Sequence, residues 1–184
     1  MKLICVRPHK KKQLIYLKPD NCLIRNNEDF YLPEFSQEIL IRPALVIKIK
    51  KIGKKINTRF AHRYYDDISA GFSFEAQDRL QELQERGLPW DPAVSFDRSA
   101  SLGTFVNKEE CKELIYTRNK QEVGKISIQD LPIEESIAQA SQLFTLKIGD
   151  LIYITNLEEG FQTHIGEEYS AYNDQQALLH CEIK

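Results

Sequence analysis

The side chains able to do chemistry are scattered along this chain. The cysteines, Cys5, Cys22, Cys111 and Cys181, form no CxxC pair and adjoin no histidine cluster. A structural zinc needs two thiolates from one turn, so these thiols read as small buried hydrophobes of a reducing compartment, Cys5 and Cys181 within core strands. His9 stands beside Lys10, Lys11 and Lys12, a run that reads as a solvated turn and not as a phosphate site or a base. His164 and His180 have no partner near in sequence for a triad or a metal pair. No GxSxG, P-loop or GxGxxG occurs. The densest polar and aromatic run, His62-Arg63-Tyr64-Tyr65-Asp66, predicts a short helix with packed rings and satisfied hydroxyls.

Composition bounds what must position these groups. The 184 residues are 42% hydrophobic and 28% charged, which excludes disorder and predicts one domain over 1–184. Residues 1–35 form its N-terminal strands and loop region. Lys plus Arg total 25 against 27 acids, a net charge of -2 that argues against a dedicated nucleic-acid binder. No apolar run approaches the roughly 20 residues that cross a bilayer, and Met1 to Arg7 is too short for a signal peptide. The expectation is a soluble, cytoplasmic protein with neither membrane nor nucleic acid as partner.

Periodicity places the elements. Leu3–Val6 and Leu14–Leu17 read as strands, and Lys18–Phe35, rich in Asn, Asp, Glu and Pro, as a loop-dominated crossing. Ile39–Ile52 alternates as a strand whose second face turns polar, with Pro43 demanding an edge, a bulge or a beginning. Gly53 then suggests a hairpin into Ile56. Glu75–Arg86 has helical spacing, Leu80 and Leu83 on one face and Gly87 as stop, followed by a rigid linker Pro89-Trp90-Asp91-Pro92. Glu113–Arg118 and Val123–Ile128 form a hairpin across Asn119-Lys120. Pro132–Phe144 is a second amphipathic helix, and Leu146–Ile154 a strand behind the turn Ile148-Gly149-Asp150. The sum is a β-rich α+β fold with two main amphipathic helices.

Several of these segments, in order, resemble the fumarylacetoacetate hydrolase family, in particular its catalytic C-terminal domain. They are Leu17-Lys18-Pro19, then Phe60-Ala61-His62-Arg63-Tyr64-Tyr65-Asp66, then Phe96-Asp97 with Ser99-Ala100 and Leu102-Gly103. The most specific is Phe144-Thr145-Leu146-Lys147-Ile148-Gly149-Asp150-Leu151-Ile152. The resemblance implies a mixed-sheet roll and a homodimer. It also implies Mg²⁺ or Mn²⁺ held by a Glu-x-Glu on one strand and a later Asp, acting on β-keto or enol acids by hydrolysis, decarboxylation or isomerisation. Glu-x-Glu suits that task because residues two apart on a strand share a face, and the ion polarises substrate oxygens.

Taking that register, the Glu-x-Glu slot reads Arg42-Pro43-Ala44 and the Asp slot falls on Ser73. A guanidinium has no acceptor and stays charged, so Arg42 would repel a dication. Glu75 is the nearest carboxylate that could compensate, on the face of Ser73 if the segment is extended. The family's Lys slot reads Val94-Ser95, its Gly-Thr-Pro-x-Gly loop reads Thr155-Asn156-Leu157-Glu158-Glu159-Gly160, and its substrate-side stretch reads Gly124-Lys125-Ile126-Ser127-Ile128. The expectation is therefore a catalytically inactive relative, a small-molecule-binding, partner-binding or structural subunit without cofactor. Its vestigial cavity would be marked by Arg42, Ala44, Ser73, Glu75, Val94 and Asn156. Arg42 should pair with Glu75, Asp78 or a small anionic ligand, because an unpartnered buried charge is costly. The alternative is a metal-dependent enzyme rebuilt on Glu38, Glu75 or Asp78.

Overall fold

The structure, a computed structural model, describes residues 1–9, 12–155, 160–174 and 176–184. Apolar alternation begins it with a hairpin: β1 (Lys2–His9) and β2 (Lys12–Pro19) pair antiparallel from Lys2↔Pro19 to His9↔Lys12. Both strands outrun the expected spans, because each extends the other's ladder. The crossing that follows holds a 3-10 turn and only the two residues of β3 (Leu23–Ile24), as its composition suggested.

β4 (Ile39–Lys48) is buried on both faces as far as Ile47, and its second face then turns polar as expected, Lys48 and Lys50 being exposed beside buried Ile47 and Ile49. It lies inside a sheet with packed side chains above and below. Pro43 sits mid-strand, opposite Phe72. On its other side β4 is paired at Leu40–Ile41 and again at Leu45–Lys48, and Pro43 falls in the gap between, so its missing N–H costs no ladder bond. Gly53 turns no hairpin. It pairs with Leu146 so closely that a Cβ there would meet Tyr64 Cε1 at 2.5 Å. The chain goes on to α1 (Thr58–Ala61), capped by the Asn57 side chain.

β5 (Asp67–Ala76) runs antiparallel to β4 from Ile39↔Ala76 to Ile47↔Ile68. Glu75 is therefore on a strand, and the expected helix starts two residues later as α2 (Gln77–Glu85): cross-strand pairing overrides helical spacing. Leu80 and Leu83 are its buried face, and Gly87, at φ +63°, ends it. The Pro-Trp-Asp-Pro segment is no plain linker, since its end forms α3 (Asp91–Val94) with Pro92 in the first turn.

β6 (Ala100–Leu102) and β7 (Val106–Asn107) both pair with β5. β8 (Glu113–Arg118) and β9 (Gln121–Ser127) form the expected hairpin, with Asn119 and Lys120 at φ 50° and 67°, the geometry of a type I′ turn. α4 (Ile133–Leu143) buries Ile133, Ile137 and Ala140. β10 (Leu151–Ile154) is shorter than its apolar run because the turn at Gly149 precedes it. β11 (Phe161–Gln162), β12 (Glu168–Tyr172) and β13 (Ala177–Glu182) complete the described elements.

Among the described residues the strands form a nine-stranded mixed sheet, with path β2-β1-β10-β4-β5-β6-β3 and β11 and β7 beside it. A four-stranded antiparallel sheet, β13-β12-β8-β9, packs against it. The larger sheet curls as a half-barrel. Its main core includes Ile4, Leu45, Ile47, Phe72 and Phe74, with the Phe30 and Phe74 rings stacked at 3.9 Å. A second apolar cluster lines the opposite face: Leu3, Cys5, Ala44, Val46, Ala100, Leu151 and Tyr153.

Candidate functional site

That second cluster is where the polar residues of interest converge. Strand alternation puts Arg42 and Ala44 on one face of β4, and pairing sets Ser73 opposite Arg42 and Gly71 opposite Ala44. Gly71 is required by crowding, since a Cβ there would lie 2.6 Å from Val46 Cγ2 and 2.7 Å from Tyr153 Cε1. The Tyr153 ring fills this face and anchors its hydroxyl on the Ser101 carbonyl at 3.0 Å. The space left among Cys5, Arg7, Tyr16, Arg42, Ala44 and Ser73 is about 10 Å³. That is room for about one water.

Glu75, fully buried two residues beyond Ser73, anchors the charges. Arg7 Nη1 reaches both its oxygens at 2.9 Å, Arg42 Nε donates to Oε2 at 2.9 Å, and the Tyr16 hydroxyl donates to Oε1 at 3.2 Å. Burial alone would raise the Glu75 carboxyl, but Arg42 and Arg7 outweigh it and hold it below the usual range, so it is ionised at neutral pH. Beneath, fully buried Lys18 donates to the Phe74 carbonyl at 3.1 Å, the Ser99 carbonyl at 2.8 Å and Ser99 Oγ at 3.0 Å. Burial lowers its pKa. Burial also pushes the Cys5 thiol up to about 11 and the Tyr16 phenol well above its ordinary value. Neither is a nucleophile at neutral pH. Ser73 Oγ is buried beside Tyr16 without a well-formed hydrogen bond.

The expected residues divide three ways. Arg42, Ala44 and Ser73 line the hollow together, and Glu75 is the anion that Arg42 pairs with. Val94 does not belong to it: α3 carries it into the main apolar core. Asn156 lies outside the described residues, and so do the side chain of His9 and Lys10 and Lys11 of the basic link. Asp78 is held instead by Ser36 Oγ at 2.6 Å and the Gln37 N–H at 2.9 Å, while Glu38 is exposed. Tyr65 is buried with its hydroxyl on Glu134 at 3.1 Å, as its satisfied-core reading required. His164 and His180 are exposed, and the cysteines are free and buried. Arg7, Tyr16 and Lys18 had no assigned role in the sequence. The available signal was parity, since Leu3, Cys5 and Arg7 share a face of β1 and the first two are core.

Residues 5–169 match the family described as fumarylacetoacetate (FAA) hydrolase C-terminal, and the chain belongs to that family. Its curated relatives include the mitochondrial oxaloacetate tautomerase of Mus musculus, 26% identical over 146 residues that cover 76% of this chain and 66% of that protein. An uncharacterised protein of Pyrococcus abyssi is 28% identical over 149 residues, covering 77% and 66%. The alignments thus span just under two thirds of these relatives' length. The fold superposes on the crystal structure of fumarylpyruvate hydrolase from Pseudomonas aeruginosa in complex with Mn²⁺ and pyruvate, with TM-score 0.88 and 19% identity, over 100% of this chain and 89% of that one. It also superposes on 5-carboxymethyl-2-hydroxymuconate delta-isomerase from Mycobacterium smegmatis, with TM-score 0.85 and 22% identity, over 99% and 78%.

A divalent ion of the kind the resemblance implies does not fit the residues around Arg42. A carboxylate offers about four acceptor sites. Arg7, Arg42 and Tyr16 take up those of Glu75. Two permanent cations stand within hydrogen-bond reach of this carboxylate, and a hard dication needs several free oxygens. Among the described residues no group of three or more His, Cys, Asp or Glu is placed to hold a metal, which also leaves Glu38, Glu75 and Asp78 unassembled.

Proposed function

We propose that this chain is a catalytically inactive member of its family, using the retained fold as a binding or partner-associating subunit. The observation that carries the reading is the saturated, two-cation coordination of Glu75 beside a hollow the size of one water. In this reading the place of the metal and of the substrate's oxo-acid end is filled from within the chain. Arg42 and Arg7 supply the positive charge, and Tyr153 and Tyr16 occupy the space. The described residues leave a hollow of about 10 Å³ beside Arg42. That small hollow favours another surface for any small-molecule role, and a homodimer remains the expected assembly, readable by light scattering.

Mn²⁺ titration by calorimetry, with assays of oxaloacetate tautomerisation and fumarylpyruvate hydrolysis, tests the reading. The expected outcome is no saturable heat at micromolar metal and rates equal to the blank. One-to-one micromolar Mn²⁺ binding with metal-dependent turnover of either compound would overturn it and favour the rebuilt-enzyme alternative.

A further inference from the structure

The net charge of -2 conceals a strong segregation. From Ile39 to Tyr65 the chain has no acid, and Lys48 to Arg63 holds seven of its 25 cations. This segment leaves β4 at the end remote from Arg42, six residues or roughly 20 Å along the strand. Gly53 and Leu146 exchange backbone bonds at 3.1 and 2.8 Å, and Lys54 Nζ binds the Leu143 carbonyl at 2.8 Å. These contacts bring residues 50–55 against the 143–149 turn. Three aliphatic side chains stand in water there: Ile52 is 62% exposed, Leu143 57% and Ile148 67%.

Lys51, Lys54, Lys55 and Lys147 neighbour them in the chain, exposed and with no carboxylate within 4 Å among the described residues, Lys51 lying over the Tyr64 ring at 5.5 Å. Arg59 and Arg63 flank them on α1 and the turn after it, their guanidiniums over the Phe60 ring at 4.4 and 5.1 Å. The acids of α4, Glu134 and Glu135, lie in its first turn, roughly 13 Å along the helix from Leu143.

We propose that this face docks on an anionic lipid surface. Lysines interleaved with exposed aliphatic residues match a headgroup layer over hydrocarbon: the cations are drawn to the acidic leaflet and the aliphatics enter its boundary. A nucleic acid would use the cations but leave Ile52, Leu143 and Ile148 without a role, and the aromatics here, Phe60 and Tyr64, already lie under Arg59, Arg63 and Lys51 instead of being free for base stacking. Among the described residues no helix is long and apolar enough to cross a membrane, but docking from one side requires none. The expectation of no membrane partner follows from the lack of a spanning run, which does not report a local patch.

Co-sedimentation of the full chain with phosphatidylcholine vesicles, with and without phosphatidylserine, tests the proposal. Binding is expected only with phosphatidylserine, weakening steeply between about 0.1 and about 0.5 M salt. Lys51→Glu/Lys54→Glu should weaken it at least about tenfold, and Ile52→Ser/Ile148→Ser should weaken it while leaving the salt dependence intact. All these positions are exposed, so matching thermal melts by circular dichroism verify the fold. The proposal is overturned by absence of binding, by equal binding to neutral vesicles, or by indifference to both variants. It is equally overturned if a single-stranded oligonucleotide binds the same lysines more tightly than the vesicles. A dimer that Ile52→Ser/Ile148→Ser dissociates would show that a second copy covers the face instead.

Discussion

Two carboxylates of this molecule are each held by an arginine and a tyrosine, yet they do different work. Glu167, 13% exposed, receives one guanidinium, from Arg118, and three neutral donors: Thr163 Oγ1 at 3.0 Å, the Tyr169 hydroxyl at 3.0 Å and the His164 N–H at 3.1 Å. It ties the segment before β12 to the small sheet, as a half-wet staple. Glu75, fully buried, receives two guanidiniums and one phenol. A staple needs charge balance, and the first cluster has it. The second gathers two guanidiniums on one carboxylate in a dry place, which stabilisation alone does not call for, since buried ion pairs return little over apolar packing.

The sharpest way to break this comparison is Glu75→Gln. It leaves Arg7 and Arg42 buried against a neutral amide, and urea unfolding should show a loss of about 3–5 kcal/mol. Replacing the whole cluster, Arg7→Met/Arg42→Met/Glu75→Leu, should cost less than Glu75→Gln alone, because neither guanidinium is then left buried against a neutral amide, while buried Lys18 loses the Glu75 charge equally in both variants. A triple variant less stable than the single one would mean the cluster is a net stabiliser and a staple after all. Glu167→Gln should cost only about 1–2 kcal/mol, since solvent reaches both partners. Its loss should shrink in high salt while that of Glu75→Gln holds.

How much of this was legible follows from the range of each interaction. The β8–β9 hairpin was readable because turn chemistry is local, and α4 because its buried spacing is. Arg42 pairing with Glu75 was readable from the cost of an orphaned charge, although β4 and β5 had first to be placed side by side. Arg7 and Tyr16 lie 68 and 59 positions from Glu75, and only the sheet path β2-β1-β10-β4-β5 brings them across. Short-range patterning carries no trace of that path. Val94 shows the opposite limit: its motif slot points to the cavity, whereas the short helix α3 turns its side chain into the main core. Pro43 shows a third limit, since a break between two partner strands serves it as well as an edge.

The smallest and most discriminating effect is in acid. Both carboxyls are held below their ordinary range: at Glu75 burial pushes up but Arg42 and Arg7 prevail, and at Glu167 burial is outweighed by Arg118 and the three neutral donors. A depressed native pKa means the unfolded chain binds the proton first. The stabilisation is therefore complete above the unfolded value, about 4.3, and is lost as pH falls through the native one. Melting curves from neutral pH downward should show the gap between wild type and Glu75→Gln holding to about pH 5 and narrowing below. The Glu167→Gln gap should narrow over the same side of the scale from a smaller start. If acid instead stabilised the wild type relative to Glu75→Gln, burial would have won over the two arginines. Glu75 would then be a neutral acid with a proton to give, and the case for an inert, charge-saturated cluster would fail.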